Sequence, residues 1–137
     1  MSGKVEVAPM KRPLLFAALA CLPSLAWAQS SEVTPLLQKE LTGVPGKEAA
    51  VLTVEYAPGA SSPMHRHNAH VFVYVLEGAV TMQVKGGEEV RLTPGQTFYE
   101  APGDVHVVSK NASATERAKF VAFFVKEAGA PILVPAQ

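Results

Sequence analysis

A chain of 137 residues with 12 Lys+Arg, 12 Asp+Glu, four His and one Cys is one domain's worth of polypeptide without electrostatic bias. Hydrophobic residues at 48% against charged ones at 18% supply a packed interior, which excludes intrinsic disorder, and the lack of a basic excess or stripe removes the footprint of nucleic-acid binding. Eleven Pro and ten Gly mean frequent turns and favour many short strands over a few long helices.

The opening stretch reads as an address. Met10-Lys11-Arg12 forms a basic region, Pro13 to Leu25 an apolar run, and Ala26-Trp27-Ala28 the small-x-small site at which signal peptidase cuts before Gln29. Residues 1–28 are therefore expected to be a signal peptide, with 1–9 an upstream extension and Met10 the start. The apolar run is too short for a bilayer, which needs roughly 20 residues. A periplasmic or secreted protein is expected, free of the membrane after cleavage. A lipoprotein acylated at Cys21 fits less well, because Ala18 stands where Leu is usual. Removing 1–28 leaves 109 residues and no cysteine. Chemistry then falls to His, carboxylates and hydroxyls.

Residues 29–48 read as an N-terminal arm. Val33, Leu36, Leu37 and Leu41 make a short, Pro-interrupted pattern that fits either a turn of helix or an extended segment. From residue 49 to 137 the texture is all β. Strands are predicted at Ala49–Tyr56, His70–Leu76, Val80–Lys85, Glu89–Leu92, Thr97–Glu100, Val105–Ser109, Lys119–Val125 and Ile132–Val134. Turn signals close them at Pro58-Gly59, Glu77-Gly78, Gly86-Gly87, Pro94-Gly95, Pro102-Gly103 and Gly129. Gly86-Gly87 has the spacing of a two-residue hairpin. About eight strands near ten residues apart point to a sandwich or barrel.

Three of the four histidines, His65, His67 and His70, fall within six positions, and His106 lies on a later strand. Extended side chains alternate faces, so His65 and His67 point the same way and can share one ion. A third imidazole from a neighbouring strand completes a facial set with open positions for water or substrate.

These residues resemble the motifs of the cupin superfamily. The first motif, G-x5-H-x-H-x3,4-E-x6-G, is matched by Gly59, His65, His67 and Gly78; the second, G-x5-P-x-G-x2-H-x3-N, by Gly95, Gly103 and His106. Pro102 comes one place late, Ala101 holds the usual proline position, and Asn111 follows after four residues rather than three. The resemblance implies a double-stranded β-helix, a jelly-roll-like barrel of two antiparallel sheets with the short arm in front, enclosing a divalent transition metal (Fe, Ni, Cu, Zn or Mn). It also implies a homodimer, since small cupins pair sheet edges. The motif glutamate position is Val71, with His70 next to it. His70 and Val71 face opposite sides of a regular strand, so a fourth His ligand requires the loop Asn68-Ala69 or a bulge to turn His70 inward. A four-His site (His65, His67, His70, His106) and a three-His site are both open. Either set is neutral and leaves the metal a strong Lewis acid.

Glu100 and Asp104 flank the turn before His106 and are candidates for orienting an imidazole N–H or for a general base. Arg66, between two histidines, is expected to face away from them. Phe72, Tyr74, Met82, Phe98, Tyr99, Phe120, Phe123 and Phe124 are divided by alternation between the interior and the outer faces. The function implied is a small metal-dependent enzyme, a dioxygenase-like oxidoreductase acting on a small organic substrate. The alternative is a non-catalytic periplasmic cupin that binds a metal or small ligand.

Overall fold

The computed structural model of the protein describes residues 30–136. The expected signal peptide lies outside the described residues. Ten strands follow in chain order: β1 (Ser31–Glu40), β2 (Lys47–Tyr56), β3 (His65–Arg66), β4 (Ala69–Glu77), β5 (Val80–Val84), β6 (Val90–Leu92), β7 (Thr97–Glu100), β8 (Val105–Asn111), β9 (Ala118–Glu127) and β10 (Val134–Pro135). There is no helix among the described residues. All eight predicted strands are present, with ends moved by up to two residues. The arm resolves as the extended option: β1 pairs antiparallel with β2 along its length, with a bulge between Pro35 and Leu37.

Two five-stranded antiparallel sheets face one another, in the orders β1-β2-β9-β4-β7 and β10-β3-β8-β5-β6. Each inner face follows from period-two alternation. In β4, Ala69, Val71, Val73 and Val75 are buried and the residues between them exposed; in β9 the buried set is Ala118, Phe120, Ala122, Phe124 and Lys126. The apolar members of these sets meet Leu52, Tyr56, Val80 and Met82 in one core. Each large side chain removed from water contributes roughly 1.5–3 kcal/mol. Alternation divides the aromatics as expected. Phe120 and Phe124, with Met82, lie inside and Phe98 is partly buried against the core, whereas Phe72, Tyr74, Tyr99 and Phe123 are exposed.

The tight turn between β5 and β6 is centred on Lys85-Gly86 rather than Gly86-Gly87: Gly87 N donates to Val84 O at 3.0 Å, and Gly86 takes φ +84°. Gly78, between β4 and β5, takes φ +67°, and a Cβ there would lie 2.2 Å from Arg117 O. The glycine closing the first motif is thus required by backbone approach. Asn111 also has a structural task. Its buried amide donates to Ala57 O (3.0 Å) and Glu116 O (2.7 Å) and its Oδ1 accepts from Ser113 N (2.9 Å), tying the end of β8 to the end of β2.

Candidate metal centre

From His65 to Val75 buried and exposed residues alternate without a break, through the Asn68-Ala69 link between β3 and β4. That phase decides the histidines. His65 and His67 are buried, and Arg66 between them is exposed, as expected. His70 falls on the opposite phase. It lies exposed on the outer face, where Nδ1 and the Tyr99 hydroxyl share a hydrogen bond at 2.8 Å. The fourth-ligand option for His70 is corrected on this ground: no bulge interrupts the alternation, so the imidazole cannot turn to the interior.

His106, on β8, stands opposite His65 in the β3–β8 pair. The register of β8 shifts directly after it, where Gln83 pairs with Val108 and Val84 with His106, so Val107 bulges. A bulge of this kind re-aims neighbouring side chains. His65, His67 and His106 are all buried, and each offers a nitrogen within 4.8 Å of the others'. The second motif is held against the first by backbone: Gly103 N donates to His67 O at 2.8 Å.

Two imidazoles have their tautomer set by the main chain. His65 Nδ1 donates to Pro63 O at 2.8 Å, and His67 Nδ1 donates to Ile132 O. With that nitrogen carrying the proton, each Nε2 lone pair is available to an ion. Phe98 stacks on His106 at 5.9 Å between ring centroids, and Phe124 packs edge-on against His67 at 5.1 Å. Burial, then the charges of His65 and His67, depress His106 to about 3. Burial likewise lowers His67, against the opposing pull of the Ile132 carbonyl. Both rings are therefore held in the neutral form that ligation requires.

Glu100 enters from the other sheet, at the end of β7. It is 2% exposed, and Oε2 lies 3.4 Å from His106 Nδ1 and 4.0 Å from His67 Nε2. Burial, and secondarily the Asp104 carboxylate, raise it to about 7. Asp104 itself shapes the turn: its Oδ2 accepts from Ala101 N at 2.8 Å, and its own N–H donates to Ala101 O at 3.1 Å. No contact joins Asp104 to an imidazole among the described residues.

The histidines open on a cavity of about 90 Å³ walled by Leu52, Tyr56, Met82, Phe120, Phe124 and Ile132. Its lining includes no lysine or arginine. The Tyr56 hydroxyl is shared with Ser62 Oγ (2.6 Å) and Ser109 Oγ (2.8 Å) and supplies its polar wall. The carbonyls of Pro63 and Ile132 and the Tyr56 network had no sequence signal, because they depend on which segments fold beside the site.

The family described as Cupin domain matches residues 52–124, more than half of the chain. The chain belongs to this family. Among solved structures, a cupin-superfamily protein from Desulfitobacterium hafniense aligns with a TM-score of 0.60 at 15% identity, covering 91% of this chain and 100% of that one. A Klebsiella pneumoniae protein with a double-stranded β-helix domain gives 0.62 at 20%, covering 85% and 90%. The DMSP lyase DddQ from Ruegeria pomeroyi DSS-3 gives 0.56 at 19%, covering 64% of this chain. The present cupin spans 43% of that lyase's length. No curated protein matches it in sequence. These likenesses agree with the fold: an all-β cupin of two antiparallel sheets.

Three buried imidazoles within reach of one another could hold a metal ion. The cupin site fits a divalent transition metal on its own chemistry. His106 Nε2 and Glu100 Oε2 are buried with no hydrogen-bond partner, and native interiors rarely leave such groups unpaired. Imidazole nitrogen suits Fe, Ni, Cu and Zn better than Mg or Ca.

Proposed function

We propose that this protein is an exported, dimeric cupin that holds a divalent transition metal at His65, His67 and His106 and acts as a dioxygenase-like enzyme on a small, largely apolar organic substrate. The observation that carries the reading is the donor set itself: three buried imidazoles within reach of one another, lining an apolar cavity. When bound, the metal would supply Lewis acidity and, for a redox-active ion, a partner for dioxygen. The chain's residues do the rest. The Pro63 and Ile132 carbonyls orient two ligands, the Phe and Leu walls exclude water, and the Tyr56 hydroxyl offers a hydrogen bond to substrate oxygen.

The cavity's lack of lysine and arginine argues against multiply charged substrates, which need fixed cations. A solved oxalate oxidase in complex with glycolate, at 24% identity and TM-score 0.61, covers 80% of this chain and 57% of its own. That enzyme and the DMSP lyases give two further reactions to try. The test is to identify the metal in protein purified from the periplasm, then measure oxygen consumption with catechols, flavonols, diketones and oxalate, and product release from DMSP. Turnover that disappears in His106→Ala supports the enzyme. Stoichiometric metal without turnover on any substrate supports instead the non-catalytic periplasmic binder.

A further inference from the structure

We propose that Glu100 is a fourth donor to the metal, a carboxylate carried across the β4–β7 ladder from the strand where the cupin motif expects it. The proposal rests on the metal-binding reading above and assigns a ligand that neither motif includes. The motif glutamate position is Val71, and Val71 and Glu100 are directly opposite one another in the β4–β7 register. Both face the interior, at 1% and 2% exposure. Opposed residues on paired antiparallel strands have Cα atoms only about 4.5–5.5 Å apart. Exchanging a carboxylate for valine across such a pair keeps the acid on the same inner face, beside the same imidazoles.

Charge balance gives the second argument. A buried carboxylate either takes up a proton, finds a cationic partner or binds a metal, and no lysine or arginine pairs with Glu100 among the described residues. The carboxylate that acts on it, Asp104, carries the same sign. Oε2 accepts no hydrogen bond, yet it is aimed at the imidazole cluster, 3.4 Å from His106 and 4.0 Å from His67. Two donors bound at about 2.1 Å to one ion lie roughly 3.0–4.2 Å apart for angles from 90° to 180°. The 4.0 Å between Glu100 Oε2 and His67 Nε2 falls in that range; the 3.4 Å contact is to His106 Nδ1, whereas the unpartnered nitrogen of His106 is Nε2. An ion shared with the histidines satisfies the orphaned oxygen and neutralises it, whereas a role confined to orienting His106 leaves the oxygen facing the ligand nitrogen of His67 without a partner. The donor set then carries one negative charge, and the metal is a milder Lewis acid than three imidazoles alone would leave it.

Co(II) is the probe, titrated into the metal-free mature protein with a competing chelator and followed by its visible spectrum. Glu100→Gln keeps the shape and a hydrogen-bond acceptor but removes the charge. It is expected to weaken Co(II) binding by about 100-fold or more, beyond the 10- to 100-fold of an outer partner, and to change the position and intensity of the Co(II) bands. The Val71→Glu/Glu100→Val exchange is expected to restore affinity by returning the carboxylate to the motif strand. In crystals of the Co(II)-loaded parent, a Glu100 oxygen should lie about 2.0–2.2 Å from the ion, and this holds whether or not either variant folds. A Glu100 carboxylate beyond bonding distance in those crystals, or E100Q with the parent's affinity and spectrum, overturns the proposal and leaves the three-His centre standing. A parent that binds no Co(II), indistinguishable from His65→Ala, overturns the metal reading itself.

Discussion

At the scale of single residues, His65, His67 and His106, which could hold a metal ion, differ from their neighbours in being inward and, among the described residues, in leaving one ring nitrogen without a competing bond. His65→Ala, His67→Ala or His106→Ala removes one of those nitrogens, and each is expected to abolish stoichiometric metal at neutral pH, read by elemental analysis after dialysis. His70→Ala should leave metal content unchanged, since His70 lies on the outer face, where Nδ1 shares a hydrogen bond with the Tyr99 hydroxyl. Retention of full metal by both H65A and H106A would mean that the likeness to metal-binding cupins is one of fold only. His65 and His67 were legible in the sequence because alternation needs only their spacing, and His106 because the second motif gives its place. His70 misled because adjacency to the motif position suggests a substitute, whereas the unbroken phase from His65 to Val75 depends on Asn68-Ala69 staying extended. The direction of Glu100 was hidden for a different reason: it requires knowing that β7 pairs with β4, a contact 29 residues apart along the chain.

At the scale of elements, turns and ends carry constraints that the strands do not. Gly78→Ala should cost about 2 kcal/mol or more in denaturant unfolding, since the left-handed φ is worth roughly 1–2 kcal/mol and the new Cβ meets Arg117 O. Gly103→Ala, with φ +84° but nothing within 4 Å, should show the conformational cost alone; equal losses at the two sites would refute the clash. A second constraint joins four segments. Glu48 on β2 and Lys126 on β9, both buried, form an ion pair; Gln38 on β1 donates to Glu48 at 2.9 Å, and Lys126 also donates to Ala130 O at 2.6 Å. The hydrogen bond from Lys126, then that from Gln38, hold the Glu48 carboxyl below its ordinary 4.5. A depressed carboxyl adds stability above its unfolded pKa and loses it as pH falls through the folded one. Glu48→Gln should therefore melt several degrees lower than the parent at pH 7, and the gap should narrow steadily below about pH 4.5, where the parent's own carboxyl takes up its proton. A gap independent of pH would show that the pair's charge contributes nothing. The eight strands were legible because turn residues and β-formers punctuate them. The arm was not, because a Pro-interrupted run of four apolar residues fits helix and strand alike, and its pairing with β2 is what decides it.

At the scale of the whole molecule, the sheet containing the arm is unfinished on one side. β1 is the edge of its sheet, and all ten of its residues are exposed, with Val33, Leu36 and Leu37 each more than half so. Among the described residues no strand pairs with the outer side of β1; such a ten-residue edge offers N–H and C=O groups to another chain, and apolar side chains on an exposed strand add area that water disfavours. Pro35, which has no N–H, and the bulge beside it interrupt that edge, so a regular open-ended pairing of many copies is discouraged while burial of the apolar residues against one other copy is not. A closed two-fold dimer satisfies both conditions, because one patch covers itself and leaves no edge to propagate. The protein should therefore run at the mass of two chains by light scattering at micromolar concentration. Leu36→Glu/Leu37→Glu places two charges on the arm without altering the histidines, and should shift the mass to one chain while metal content per chain stays at the parent's value. A parent that scatters as a monomer defeats the assembly. A double variant that stays dimeric defeats the placement of the interface on β1.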